Sequence, residues 1–244
     1  MKIKYLSVFF VFFQISSYSQ SIEQKKFNYS VILGINIGAT TPVPIPEEVR
    51  EVKNYNPKIN PQFGMNVIHN LNKKWGITSG ILIERKAMRV TDKVKYMKTG
   101  IVLDNDLVTG YFVGENMTNT DNLYLSIPLY GSLKINEIWK VKLGVYGARA
   151  LSKKFDGSVS DGYIRIDTTL GQKQEIDHAT FDFSNDVQNY DFGLSLKSEY
   201  KTKNRLGVYA NFNWGLTPYF KYDFALMDFQ MRNIFGTIGI KYFL

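Results

Sequence analysis

The 244-residue chain contains no cysteine, which excludes a disulfide framework and any thiolate-bound metal or cluster. Histidine is almost as scarce, with His69 and His178 the only two. So little imidazole rules out a multi-histidine metal site and leaves little scope for imidazole catalysis. Low-complexity stretches, collagen-like repeats and helical stripes of period 3.6 are also missing. Phosphate-cradling glycine motifs do not occur, and no cofactor is implied. What is abundant is apolar and aromatic side chain, at 44% and 15% of residues, more than a disordered chain carries. Lys+Arg exceed Asp+Glu by 30 to 22, yet the excess is scattered and never gathers into a stripe. No nucleic-acid partner is therefore expected.

The start of the chain reads as a secretory signal. Lys2 and Lys4 give it a basic beginning, Tyr5 to Ile15 an almost unbroken apolar run, and Ser16-Ser17-Tyr18-Ser19 a small-residue exit. The run is shorter than the about 20 residues a membrane helix needs, so cleavage after Ser19 is expected. With no cysteine following it, a lipid anchor is excluded. The expected organisation is a signal peptide over 1–19, a short N-terminal periplasmic segment over 20–27 and one folded domain over 28–244.

Within that domain the recurring pattern is alternation. Tyr29, Val31, Leu33, Ile35 and Ile37 share one parity, while Ser30, Gly34, Asn36 and Gly38 share the other, as a strand with one apolar face requires. Seven further segments repeat it, around Phe63–Val67, Trp75–Glu84, Leu123–Leu133, Trp139–Val145, Asp191–Tyr200, Arg205–Gly215 and Asn233–Leu244. Each is about the 9–11 residues that cross a bilayer as a tilted strand. Three links, near Asn70–Lys74, Lys134–Ile138 and Lys201–Asn204, are tight and polar. Four are long: Ala39–Asn60, Val90–Asn122, Ser152–Asn189 and Thr217–Gln230. Short turns at one rim and long loops at the other are the pattern of an outer-membrane barrel.

Alternation alone does not say which face meets solvent, and a soluble lipocalin-like carrier would turn its apolar face inward. Three features favour the opposite arrangement. The less apolar parity holds many glycines, such as Gly34, Gly64, Gly80, Gly144, Gly193 and Gly239, and the narrow interior of eight strands wants small residues. The apolar parity ends beside the short turns in Tyr29, Trp75, Trp139, Tyr200 and Tyr242, an expected interfacial aromatic girdle. Charges of the glycine parity gather near the same rim, as Lys140, Lys142, Lys197, Glu199 and Arg205. Facing lipid each would cost roughly 2–4 kcal/mol at mid-depth. The expectation is an interior charge network in which Glu199 pairs with those residues and with Lys241. An all-β fold follows: an eight-stranded antiparallel up-and-down transmembrane β-barrel with short periplasmic turns and long extracellular loops, closed because a bilayer leaves no partner for an open edge.

The segment Leu123-Tyr124-Leu125-Ser126-Ile127-Pro128-Leu129, the strand start Asp191-Phe192-Gly193-Leu194 and the exit Leu216-Thr217 resemble the strands of the PorT-like outer-membrane β-barrel proteins of Bacteroidetes. Ser126 stands where that family usually has an acid, and Tyr130-Gly131 where it has an aliphatic and a basic residue. The C-terminal Thr237-Ile238-Gly239-Ile240-Lys241-Tyr242-Phe243-Leu244 is similar to the signal by which such barrels are recognised for insertion, with Leu244 in place of the usual Phe. The resemblance implies a porin-family membrane protein of the Gram-negative outer membrane that is not an enzyme. Its expected partners are outer-membrane lipid, the barrel-insertion machinery and, through the loops, other envelope proteins. Solute passage and a lipid-modifying enzyme on the same barrel are the competing functions. For the latter His178 is the candidate, with Asp177 and Thr180 nearby but no evident serine partner. Asp156 to Gly162 places oxygens at alternate positions but lacks the glycine and closing Glu of a calcium loop, and reads as two Asp-Gly turns. Alternatively, Tyr163–Asp167 and Glu175–Phe183 form a hairpin with its tip at Leu170-Gly171. Asp167-Thr168-Thr169 resembles a Bacteroidetes O-glycosylation site.

Overall fold

A computed structural model describes residues 27–103, 106–202 and 204–244. The expected signal peptide and nearly all of the expected periplasmic segment lie outside the described residues. One antiparallel sheet contains β1 (Phe27–Pro42), β2 (Val49–Asn56), β3 (Asn60–Asn70), β4 (Trp75–Leu103), β5 (Asp106–Lys134), β6 (Trp139–Ser152), β7 (Phe155–Ile166), β8 (Lys173–Asp182), β9 (Tyr190–Lys201), β10 (Leu206–Gly215) and β11 (Met231–Phe243). Eleven strands thus replace the expected eight. Pairing runs β4–β3–β1–β11–β10–β9–β6–β5, and β5 pairs back onto β4, so the neighbours form a closed circuit.

The three tight links fall where the polar pairs lie, and two share one local device. Asn72 Oδ1 accepts from the backbone N–H groups of Lys74 and Trp75, both at 2.9 Å. Asn136 Oδ1 accepts from those of Ile138 and Trp139, at 3.0 and 2.8 Å. An Asn side chain that mimics a backbone turn reverses the chain in few residues. It thereby fixes the register of β3 on β4 and of β5 on β6.

The other three strands come from the long links. β2 adds to β4, β7 to β5 and β8 to β7, while Val102 opposite Thr180 brings β8 back to β4. The Val90–Asn122 link is no loop but the paired upper halves of β4 and β5. The expected Asp-Gly turns are likewise strand: Asp156-Gly157 pairs within β7, and Asp161 takes a positive φ of 51° at an irregularity. The hairpin anticipated beyond Tyr163 exists as β7 and β8.

The apolar parity faces outward. Leu33, Phe63, Ile81, Leu129, Leu143, Leu194, Val208 and Ile240 are exposed, while Asn36, Gln62, Thr78, Ser126, Lys142, Ser195, Glu199, Thr237 and Lys241 are buried. This is the inverse of a soluble carrier. Glycines on the inner face leave room for two tyrosine side chains. A Cβ on Gly34 would stand 2.5 Å from the Tyr209 hydroxyl and one on Gly193 2.7 Å from the Tyr146 ring. A second, apolar core fills the region between the upper halves of β4 and β5, β7, β8 and the Thr217–Gln230 link. It holds Met97, Ile101, Phe112, Phe155, Val159, Ile164, Ile176, Phe181 and Phe220.

Candidate functional site

At the short-turn end some of the interior charges come together around Glu199. Lys142 Nζ donates to Glu199 Oε1 at 2.8 Å, and Lys241 Nζ reaches both carboxylate oxygens at 3.0 and 2.9 Å. The register sets Lys197 directly opposite Lys142. Lys197 Nζ lies 4.2 Å from the Tyr209 ring centroid, so a ring face solvates an ammonium that the single carboxylate does not reach. Lys140 is half-buried and Arg205 exposed. Both line the mouth at this rim, beside Lys201 and Leu244, outside the ion-paired group.

A second network lies one level further along the interior, and the sequence reasoning did not assemble it. Lys86 Nζ donates to Asp191 Oδ2 at 3.1 Å and stands 3.6 Å from Glu84 Oε1. Its ammonium sits between the rings of Tyr124 and Tyr146, 5.1 and 4.8 Å from their centroids. Asp191 also accepts from Tyr146 Oη at 3.1 Å, Asn233 Nδ2 at 3.0 Å and Thr217 Oγ1 at 3.2 Å. Glu84 accepts from Gln62 and Ser126 at 2.8 and 2.6 Å. The available signal was parity, because Lys86 lies two residues beyond Glu84 on the same face. Lys86 on β4 meets Asp191 on β9, across the ring from it, so that pair crosses the interior and does not merely line it.

The five expected girdle residues all point outward at one rim. Tyr29, Trp75, Trp139 and Tyr242 are exposed, and the Trp139 and Tyr200 rings meet edge-on with centroids 5.0 Å apart. Tyr190, Phe192 and Trp214 form an outward set at the other end of β9 and β10, which the sequence reasoning passed over. Tyr190 and Tyr200 are ten residues apart on β9, or about 33 Å of strand. At a tilt of roughly 40° that spans about 25 Å, the height of the apolar band of an outer-membrane barrel.

The catalytic candidates do not assemble. His69 packs its ring on Phe27, centroids 4.7 Å apart, at the rim. His178 is exposed on β8, opposite Ser160, a serine that the sequence alone did not place beside it. The Ser160 hydroxyl donates to Asp161 Oδ2 at 3.1 Å, so it is turned toward a carboxylate. Among the described residues no cluster of acids and histidines could hold a metal. In the calcium candidate, Asp156 instead accepts from Asn119 at 2.6 Å and pairs with Lys154 at 3.0 Å.

The sequence profile of the outer membrane protein beta-barrel domain matches residues 16–221. The chain belongs to that family. Its place is therefore the outer membrane, where the outward apolar parity meets hydrocarbon. No curated protein matches it. Among solved structures it is similar to Ail, the attachment invasion locus protein of Yersinia pestis, at 11% identity and a TM-score of 0.40, covering 89% of this chain and 97% of that one. It is also similar to the translocator domain of the autotransporter NalP from Neisseria meningitidis, at 8% identity and a TM-score of 0.28, covering 90% and 89%. In this outer-membrane barrel the two interior networks sit between the aromatic rims, and the upper core lies past the Tyr190–Trp214 rim.

Proposed function

We propose that this member of the family is a non-conducting barrel. The circuit of β1, β3, β4, β5, β6, β9, β10 and β11 spans the membrane, and its outward β-extension is the working part. The reading is carried by the Lys86–Asp191 pair, which crosses the interior from β4 to β9, and by the Lys142–Glu199–Lys241 group, which fills it beside β6, β9 and β11 at a second level. Eight strands leave an interior only wide enough for side chains, so solute passage is disfavoured. The PorT-like placement rests on the Leu123–Leu129 and Asp191–Leu194 strands, and with it go a cleaved signal over 1–19, no catalytic activity, insertion through the Thr237–Leu244 strand and short turns on the periplasmic side. The segment beyond the outer rim is then a folded platform of β2, β7, β8 and the upper β4–β5 hairpin, suited to meeting other envelope proteins. The test is electrical. The mature chain reconstituted in a planar lipid bilayer should show no current above bare lipid, and discrete conductance steps would overturn the reading.

A further inference from the structure

The outward extension contains a cavity of about 190 Å³ between the end of β1, β2, the upper parts of β4 and β5, and the Thr217–Gln230 link. Its walls are soft and apolar. Met88, Met97, Met227 and Met231, four of the chain's seven methionines, face it along with Phe155 and Phe181, and thioether side chains adapt to varied apolar shapes. An apolar cavity of about 150 Å³ already accepts a benzene-sized guest.

Polar groups interrupt these walls: the hydroxyls of Thr40, Thr41, Tyr55, Thr99 and Thr118, and one carboxylate–amide pair that brings two acceptors together. Asp92 on β4 and Asn116 on β5 face each other in register and are 8% and 4% exposed. Asn116 Nδ2 donates to Asp92 Oδ1 at 2.8 Å and to Thr118 Oγ1 at 3.2 Å. Its Oδ1, fully buried, has no partner among the described residues. No lysine or arginine lines the cavity. The nearby cations are engaged or turned away: Lys53 pairs with Glu115, Lys98 with Asp228 at 3.0 Å, and Lys93 and Lys95 lie exposed on the opposite parity. A buried carboxylate without a cation and a buried amide oxygen without a donor are both costly unless something supplies protons to them. An ammonium does so, with three donors and a positive charge and no acceptor of its own.

We infer that this cavity is a binding site for a small primary amine with an apolar body, its ammonium held by Asp92 and Asn116 and its hydrocarbon against the methionine wall. This goes beyond the barrel reading, since a conducting barrel would leave the cavity and its acceptors in place. The test is isothermal titration of the full mature chain in lipid nanodiscs with 2-phenylethylamine, with empty nanodiscs subtracted. Saturable binding is expected. Replacing the ammonium by a carboxylate, in 3-phenylpropanoate, should abolish it, and Asp92→Asn should weaken it by about tenfold or more. Met227→Trp, which fills the cavity and leaves the acceptors alone, should also remove binding, and covers the case in which Asp92→Asn does not fold. Absence of saturable heat, equal binding of the carboxylate, or unchanged affinity in the folded variants would each overturn the assignment.

Discussion

Glu199→Ala is the sharpest perturbation of the barrel interior. Glu199 is 3% exposed and is the carboxylate that Lys142 and Lys241 share at 2.8–3.0 Å. Removing it strands two buried ammonium groups beside a third, Lys197. Breaking one buried pair costs about 3–5 kcal/mol, because the charge left behind has lost its compensation. Here two cations share the loss, so the upper part of that range is expected. With a urea dependence of about 1–3 kcal/mol per molar for a small protein, the unfolding midpoint in detergent should fall by roughly 2 M. Heat-modifiable migration on a gel reads the same transition. The triple change Glu199→Leu, Lys142→Met, Lys241→Met removes the charges together and should recover most of the loss, since a buried ion pair is often no better than an apolar replacement of equal volume. A Glu199→Ala midpoint within a few tenths of a molar of the parent would refute the claim that this carboxylate holds the lower interior together.

Three further outcomes are expected. Gly34→Ala drives a methyl group against the Tyr209 hydroxyl and should destabilise by about 1–3 kcal/mol, while Tyr209→Phe in the same chain, which removes that oxygen, should restore part of it in the urea titration. Val145→Arg places a charge outward near mid-band, opposite Leu194, and should cost about 2–4 kcal/mol, whereas Lys173→Arg in the exposed hairpin should cost nothing measurable. Burial raises the Asp92 carboxyl from 3.8 to about 6, so the neutral acid is the form the fold favours. That contribution is fully present below pH 3.8 and is lost as pH rises through about 6, a swing of at most about 3 kcal/mol. Amide exchange of the Asp92–Asn116 strand pair should therefore be slower at pH 5 than at pH 8 after correction for intrinsic rates, and Asp92→Asn should abolish the difference.

The eight wall segments were legible because each has lipid on one side and a packed interior on the other, which enforces a two-residue period. Trp75, Trp139 and Tyr200 marked the rim for the same reason. Beyond the membrane that constraint lapses, and the signal goes with it. Asp92, Lys93, Lys95 and Lys98 made Val90–Asn122 look like a loop, yet its described residues form a ladder with one irregularity. Its buried parity runs through Val94 and then jumps to Met97, because Tyr96 adopts a φ of 58° at an irregularity in the ladder. A reading that assumes one unbroken alternation cannot cross such a bulge. The charge partners were only half legible. Parity put Lys142, Glu199 and Lys241 on the inside, but which of them touch depends on register. Lys140, second residue of β6, and Arg205, just before β10, stand at the rim, while Lys86 and Asp191 come together from positions 105 residues apart.

β4 and β5 each run 29 residues, with one irregularity at Tyr96, about 95 Å of contour against an apolar band about 25 Å tall. The platform is thus grown from the wall itself, with no separate linker between them. In the proposed orientation, its heading relative to the cell surface follows strand tilt. Shortening both strands by equal, even numbers of residues would lower the platform toward the lipid headgroups while leaving inward and outward residues unexchanged.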